Sequence, residues 1–358
     1  MKNKLTHSKG RGAQVNPKNR FFVEQVETDQ EYLEYCRFED ENPDSNQTHY
    51  VEVYPKKIIN KVPSPDVPMD FSMNPYQGCE HGCVYCYARP THEYWGYSSG
   101  LDFERKILIK KNAPELLRRE LASRAWKPAP IMLSGNTDCY QPAEQRYKIT
   151  RQLLEVLLEF RNPVGIITKN SLILRDLDLL KELNQMNLLR VTMSITSLDE
   201  NTRRIMEPRT SSCKNRVSAV RILSEHNIPV NVNVAPIIPG INDHEIPSLL
   251  KEVSAAGARR AMYIMVRLNG PVAEIFENWV RLHFPDRANK VLNQIASLHG
   301  GKLNDSRFKT RMKGEGHIAE QIRRLFIIHH NKYFEKTKFE PMNTSDFRSI
   351  RKGQIPLF

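Results

Sequence analysis

In Asp70-Phe-Ser-Met-Asn-Pro-Tyr-Gln-Gly-Cys-Glu-His-Gly-Cys-Val-Tyr-Cys-Tyr-Ala-Arg89 a short apolar run gives way to Cys79, Cys83 and Cys86, spaced C-x3-C-x2-C, with Tyr85 just before the third thiol. Three thiolates this close in sequence can hold one metal centre from a single loop. An iron–sulfur cube bound by three thiolates keeps one iron without a protein ligand. That iron can take a substrate or cofactor, by the same open-position logic that separates catalytic from structural metal sites. The rival is a zinc site of the Cys3His type that recruits His81 or His92.

Outward from this loop the chain alternates short apolar runs with helix-period stretches. Strands are expected near 70–73, then over 130–134, 164–168, 189–196, 230–235 and 261–266. Helices are expected over 113–126, 144–160, 172–186, 215–226 and 246–256, the first with Pro114 near its start, where a missing N–H is harmless. Strands alternating with helices argue a parallel sheet of six βα units. In such folds reactive groups gather at the strand C-termini. The cysteine loop follows the first strand directly, at that end.

After Arg267 the rhythm fades into expected helices over 272–283, 285–298 and 318–333, with a basic, aromatic-containing run Arg307-Phe-Lys-Thr-Arg-Met-Lys313 that reads as a solvated surface or a phosphate-contacting patch. Before the core lie Lys9–Arg20, basic with glycines and a proline, then the turn-rich Asp40-Glu-Asn-Pro-Asp-Ser-Asn46 and a strand-like His49–Tyr54. The expected division is a partly irregular basic N-terminal extension over 1–65, a core over 66–270 and a C-terminal helical extension over 271–358. The segment Lys9–Arg20 reads either as a tail or as an arm along a phosphate backbone.

The 358 residues carry 53 Lys and Arg against 41 Asp and Glu, a net charge of +12, which favours polyanionic partners. The first ten residues have no apolar core and no 18-residue apolar run exists, so neither a signal peptide nor a membrane span is expected. Three of the six cysteines crowd into eight positions, unlike a secreted disulfide framework, and the expected setting is a reducing cytoplasm.

The cysteine loop with its aromatic residue resembles the cluster loop of the radical S-adenosylmethionine superfamily. That resemblance implies a partial (β/α)6, TIM-like barrel. It also implies a 4Fe-4S cluster on Cys79, Cys83 and Cys86, and Tyr85 near the adenine of S-adenosyl-L-methionine. Gly135, Asn136 and Thr137 end the second strand, where a glycine and small polar residues let a ligand approach the backbone; the resemblance gives them the methionine amino group. Lys169 ends the third strand as a point charge suited to the methionine carboxylate. Ser194 and Thr196 share one face of the fourth.

Met193-Ser-Ile-Thr-Ser197, Glu207-Pro-Arg-Thr-Ser-Ser212 and Val234-Ala-Pro-Ile237 are similar to the spore photoproduct lyase family, whose members repair DNA. By that likeness Lys169 and Ser194 hold the cofactor, the Ala235 backbone lies against the adenine, and Tyr87 takes part in hydrogen transfer. One departure stands out. Aligning the aspartate on Asp138 puts Gly135 where that family has its hydrogen-donor cysteine, so thymine-dimer repair does not carry over. Cys139, four residues on, is a candidate relay thiol or a small buried hydrophobe. Cys213 and Cys36 read as structural or incidental.

Over nearly its full length the chain resembles an uncharacterised bacterial family related to that lyase. Its marks are Gly10-Arg-Gly-Ala-Gln-Val-Asn-Pro-Lys-Asn-Arg20, Thr91-His-Glu-Tyr-Trp-Gly96 and Gly135-Asn-Thr-Asp-Cys-Tyr-Gln-Pro142. The implied function is reductive cleavage of S-adenosylmethionine to a 5′-deoxyadenosyl radical, with a lyase-like or transferase-like outcome. The implied partners are a low-potential electron donor and DNA or RNA. The competing expectations are a radical enzyme acting on a small molecule or protein, and a non-enzymatic metal-containing nucleic-acid-binding protein.

Overall fold

The apolar runs form strands whose residues are buried almost without interruption, as expected where both faces of a parallel sheet are covered. The computed structural model describes residues 8–21, 47–67, 69–335 and 340–349. Its ten strands are β1 (His49–Val53), β2 (Asn60–Lys61), β3 (Phe71–Met73), β4 (Tyr76–Gln77), β5 (Lys106–Lys110), β6 (Ile131–Leu133), β7 (Val164–Thr168), β8 (Leu189–Ser194), β9 (Val230–Ile237) and β10 (Arg260–Met265). The main sheet has the order β10-β9-β8-β7-β6-β3-β2, with all pairs parallel except β2 against β3. Six consecutive parallel strands, in a sheet whose edges among the described residues are β10 and the antiparallel β2, make the α/β partial (β/α)6 barrel.

Helices bury one stripe against this sheet. In Ile149–Phe160 the stripe is Ile149, Leu153, Val156, Leu157 and Phe160, the three- and four-residue spacing of a core-facing helix. Each such side chain contributes about 1.5–3 kcal/mol on leaving water. The expected single helix over 144–160 is two, Ala143–Tyr147 and Ile149–Phe160, because Lys148 takes a left-handed φ of 52° that ends the first. The stretch 172–186 begins as a 3-10 turn, Ser171–Asp176, before Leu177–Gln185 becomes α-helical. At the C-terminal side, Gly316–Tyr333 packs on Ile246–Ala255 and on Ala288–Leu298, with the Tyr263 and Phe326 rings 4.6 Å apart.

Of a second, smaller sheet the sequence showed only β1, as the strand-like His49–Tyr54, and not β4 or β5. This sheet has the order β1-β5-β4, with β1 parallel and β4 antiparallel to β5. The segment expected to precede the core is thus tied to it through β1, and Ile58 is wholly buried. The basic arm behaves likewise at its start. Arg11 turns inward and donates to the Glu104 carbonyl at 2.7 Å and to Thr48 Oγ1 at 3.1 Å, while Gly12 N–H and Ala13 N–H donate to the Glu104 carboxylate at 3.0 and 2.8 Å. Lys18 and Arg20 still face outward. Cys36 and Asp40–Asn46 lie outside the described residues.

Gly12 passes so close to the cysteine loop that a Cβ there would sit 1.7 Å from the Gly82 carbonyl oxygen. Gly12→Ala is therefore expected to lift this strap and release two hydrogen bonds from the buried Glu104, at about 1–3 kcal/mol. Denaturant melts of the apoprotein read the change; an unaltered midpoint would show that the strap adds nothing to stability.

Candidate active site

The cysteine loop owes its path to two glycines. Gly78 (φ 79°) and Gly82 (φ 68°) occupy the left-handed region, and a Cβ on Gly78 would lie 2.8 Å from the Lys106 carbonyl oxygen. Cys79 N–H donates to the Phe103 carbonyl at 2.8 Å and Val84 N–H to the Met206 carbonyl at 3.1 Å. Arg89, wholly buried, laces the loop from beneath. Its Nε donates to the Cys83 carbonyl at 2.9 Å, and Nη2 pairs with Glu104 at 2.5 Å. Glu104 thereby joins the N-terminal strap, Arg89 and the cysteine loop in one buried network.

Cys79 and Cys83 are buried and Cys86 half-buried, all as free thiols. Burial pushes the pKa of each thiol up, Cys79 the more so because Asp138 is near. Neutral thiols in such a place are inert until a metal's positive charge drives off their protons. The donor set fits an iron–sulfur cluster, whose ligands are thiolates. For a zinc site, His81 is already engaged. His81 Nδ1 lies 3.4 Å from Asp138 Oδ2 and its Nε2 3.4 Å from Asn170 Nδ2, while His92 is packed between the Tyr97 and Phe103 rings at 5.2 and 5.6 Å. Among the described residues, no three His, Cys, Asp or Glu side chains are arranged to hold a single metal ion.

The end of β6 meets the loop from the side. Ser134 is the strained residue (φ 78°), and its Oγ accepts from Cys139 N–H at 2.6 Å. A Cβ on Gly135 would lie 2.8 Å from that of Ser72. The Gly135 carbonyl accepts from the Tyr87 hydroxyl at 2.7 Å, Asn136 Nδ2 donates to Gln77 Oε1 at 3.3 Å and to Thr91 Oγ1 at 3.2 Å, and Thr137 Oγ1 donates to the Tyr76 carbonyl at 2.8 Å. All three residues expected at this strand end therefore frame the cysteine loop.

A second group forms where β7, β8 and β9 end. Tyr85 donates its hydroxyl to Glu207; Thr196 Oγ1 donates to Glu207 Oε1 at 2.6 Å and lies 3.1 Å from the Ala235 carbonyl. Lys169 Nζ stands 5.9 Å from the Tyr85 ring centre, and the Ser194 carbonyl accepts from Arg216 at 3.1 Å. Tyr85, Lys169, Ser194, Thr196 and Ala235 thus converge. Burial would raise the Glu207 pKa, but Arg216 and Lys169, with hydrogen bonds from Thr196 and Tyr85, hold it down at about 2.

Three charged residues at this centre escaped the sequence reading in their roles. Glu207 and Arg216 form a wholly buried pair at 2.5 Å. Asp138 clamps two strand ends, accepting from Thr168 Oγ1 at 2.8 Å, Lys169 N–H at 2.7 Å and Tyr140 N–H at 2.9 Å. The signal for Arg216 was present: with Val220 and Leu223 it falls on the buried stripe of Cys213–Glu225, where an arginine needs a partner. Of the two relay candidates, Tyr87 is 47% exposed beside Cys86, whereas Cys139 is sealed in the core with its carbonyl held by Thr150 Oγ1 at 2.6 Å. Cys213 is buried at the start of its helix.

Comparison with known proteins agrees with this geometry. An uncharacterized protein of Mycobacterium tuberculosis (strain ATCC 25618 / H37Rv) is 33% identical over 242 residues, covering 67% of this chain and 71% of the relative. A Radical SAM Nalpha-GlyT isomerase of Pseudomonas phage M6 is 28% identical over 186 residues, 51% of this chain and 36% of that protein. Among solved structures, spore photoproduct lyase complexed with dinucleoside spore photoproduct superposes with a TM-score of 0.58 at 16% identity, covering 88% of this chain and 86% of the other, a likeness of fold. A variant of that lyase with bound AdoMet and dinucleoside spore photoproduct gives the same score and identity. Residues 73–253, half of the chain, match the model of the Radical SAM superfamily, and the chain belongs to that superfamily.

Proposed function

We propose that this protein binds a 4Fe-4S cluster through Cys79, Cys83 and Cys86, cleaves S-adenosylmethionine reductively beside it, and acts on nucleic acid. The observation that carries the reading is the meeting of three free thiols on one loop, two buried and one half-buried, with the Tyr85–Glu207–Thr196 group at the ends of the neighbouring strands. Cys79, Cys83 and Cys86 would hold the cluster, which, when bound and reduced, would supply the one electron needed to cleave the sulfonium into methionine and a 5′-deoxyadenosyl radical able to abstract a substrate hydrogen.

The chain's own residues bind and orient. Lys169 offers a cation for the methionine carboxylate, and Gly135, Asn136 and Thr137 offer a close backbone edge for its amino group. Tyr85, Ser194, Thr196 and the Ala235 backbone are placed to hold the adenosine, with Glu207 and Arg216 fixing Tyr85 and Thr196. Burial of this group excludes water, which protects a radical from side reactions. Tyr87, open to solvent beside the third cysteine, is the better placed hydrogen relay; Cys139 would need the core to open. Charge and the photoproduct-lyase-like fold support a nucleic-acid substrate, DNA repair included, and three free thiols on one loop suit a cytoplasmic setting with a low-potential electron donor. Among the described residues no helix is long and apolar enough to cross a membrane.

Anaerobic reconstitution with iron and sulfide, then dithionite reduction with S-adenosylmethionine, is expected to release 5′-deoxyadenosine. No nucleoside from the fully loaded, reduced protein would overturn the reading. Deuterium passing from a labelled nucleic acid into the 5′-deoxyadenosine would distinguish this substrate class from a small molecule or protein.

A further inference from the structure

Beside the third cysteine the surface carries arginines and exposed aromatic rings in alternation. Arg267 follows β10 and stands 5.9 Å from the centre of the Tyr87 ring, whose hydroxyl reaches Gly135. Arg311, whose charge acts on Arg267, lies 4.6 Å from the centre of the Phe308 ring, which is 50% exposed. Arg20 approaches Gly270 and lies 5.6 Å from the centre of the Phe21 ring, which is 52% exposed. Aromatic faces interleaved with guanidiniums are what stacks bases and tracks a phosphate backbone.

The three arginines differ in one respect. Arg311 is paired with Asp66 at 2.6 Å and Arg20 with Glu93 at 2.6 Å. Arg267 shares the field of that same Asp66 carboxylate, which Arg311 already occupies, and makes no ion pair or hydrogen bond of its own to a described residue. It is half-buried; burial and the Arg311 charge lower its pKa, and Tyr87 and Asp66 offset this only in part. A half-buried guanidinium whose neighbouring carboxylate is already paired to another arginine keeps its donors open to a further anion.

We propose that Arg267 takes a backbone phosphate of a nucleic-acid substrate and so holds the strand beside Tyr87. This rests on the reading of the chain as a radical S-adenosylmethionine enzyme of nucleic acid. Phosphate contact fixes register, not sequence, so Arg267 sets where along the strand the reacting nucleotide falls.

The test uses the full-length reconstituted protein, a fluorescently labelled single-stranded oligodeoxynucleotide and a salt series. Arg267→Gln is expected to weaken binding about tenfold at the lowest salt and to reduce the slope of log K against log salt by about 0.7. Arg267→Lys keeps the charge and is expected to keep the slope. Arg323→Gln, on the helix Gly316–Tyr333 and paired with Glu320, serves as the charge-matched control and is expected to change neither. Iron content and thermal melts confirm that each variant is folded; if Arg267→Gln is not, the lysine variant carries the test. An unchanged slope in Arg267→Gln, a reduced slope in Arg267→Lys, or an equal effect of Arg323→Gln overturns the inference, as does failure of the wild type to bind. Nucleoside release by the wild type, measured separately, shows whether the underlying enzyme reading stands when this one falls.

Discussion

Cys83→Ala is expected to leave the protein without a stable cluster and to lower 5′-deoxyadenosine release by more than about a hundredfold. Changes to the residues that merely orient metal ligands cost about 10–100-fold in metal affinity or activity, and loss of a ligand exceeds that. Of the two nearby histidines, His81 is engaged by Asp138 and Asn170, and His92 lies between two rings with neither nitrogen hydrogen-bonded to a described residue. The apoprotein should hardly notice the change, because a neutral buried thiol acts there as a small hydrophobe and no hydrogen bond to its sulfur would be lost. The prediction thus separates assembly of the site from stability of the fold. Cys213→Ala removes another buried thiol, at the start of the helix Cys213–Glu225, and should leave iron content as it was. Iron and acid-labile sulfide assays on both variants decide the matter. Full iron in Cys83→Ala with undiminished nucleoside release would mean that the cluster sits elsewhere.

The parts of this site that could be read in advance were those tied to a local pattern. Cysteine spacing marks the loop, and alternation of apolar runs with helical stretches marks six strands and the ends on which Gly135, Lys169, Ser194 and Thr196 fall. What escaped depends on contacts distant in sequence. Lys106-Ile-Leu-Ile-Lys110 has only three apolar residues between lysines and becomes a strand by pairing with β1 and β4. Leu101–Arg105 is a single turn and a half, too short for any period to show. Composition describes Lys9–Arg20 as a solvated arm, yet Arg11 is buried because Glu104, more than ninety positions away, supplies its acceptor. Lys148 ends a helix by its backbone conformation, which no hydrophobic pattern records.

Arg216→Met is expected to destabilise the apoprotein by about 3–5 kcal/mol, the usual consequence of removing one partner of a buried ion pair. Arg216 touches Glu207 and Thr210 and donates to the Ser194 and Ser211 carbonyls at 3.1 and 2.9 Å, so its loss leaves several buried acceptors without a donor as well as an uncompensated carboxylate. Adding Glu207→Gln to Arg216→Met should restore part of the loss, because no charge then remains buried. The pH dependence carries a sign that a simple packing defect lacks. In the wild type the Glu207 pKa falls from an ordinary 4.5 to about 2, so its contribution is complete above 4.5 and is lost as pH drops toward 2. Without Arg216, burial dominates and moves the Glu207 pKa the other way. The folded variant then favours the protonated carboxyl and gains relative stability as pH falls. The gap between wild type and Arg216→Met should therefore narrow between pH 8 and pH 5, as read by urea melts at the two values. A gap that stays constant or widens on acidification would show that Arg216 acts through packing and its carbonyl contacts alone, and that Glu207 is not the charge it holds in place.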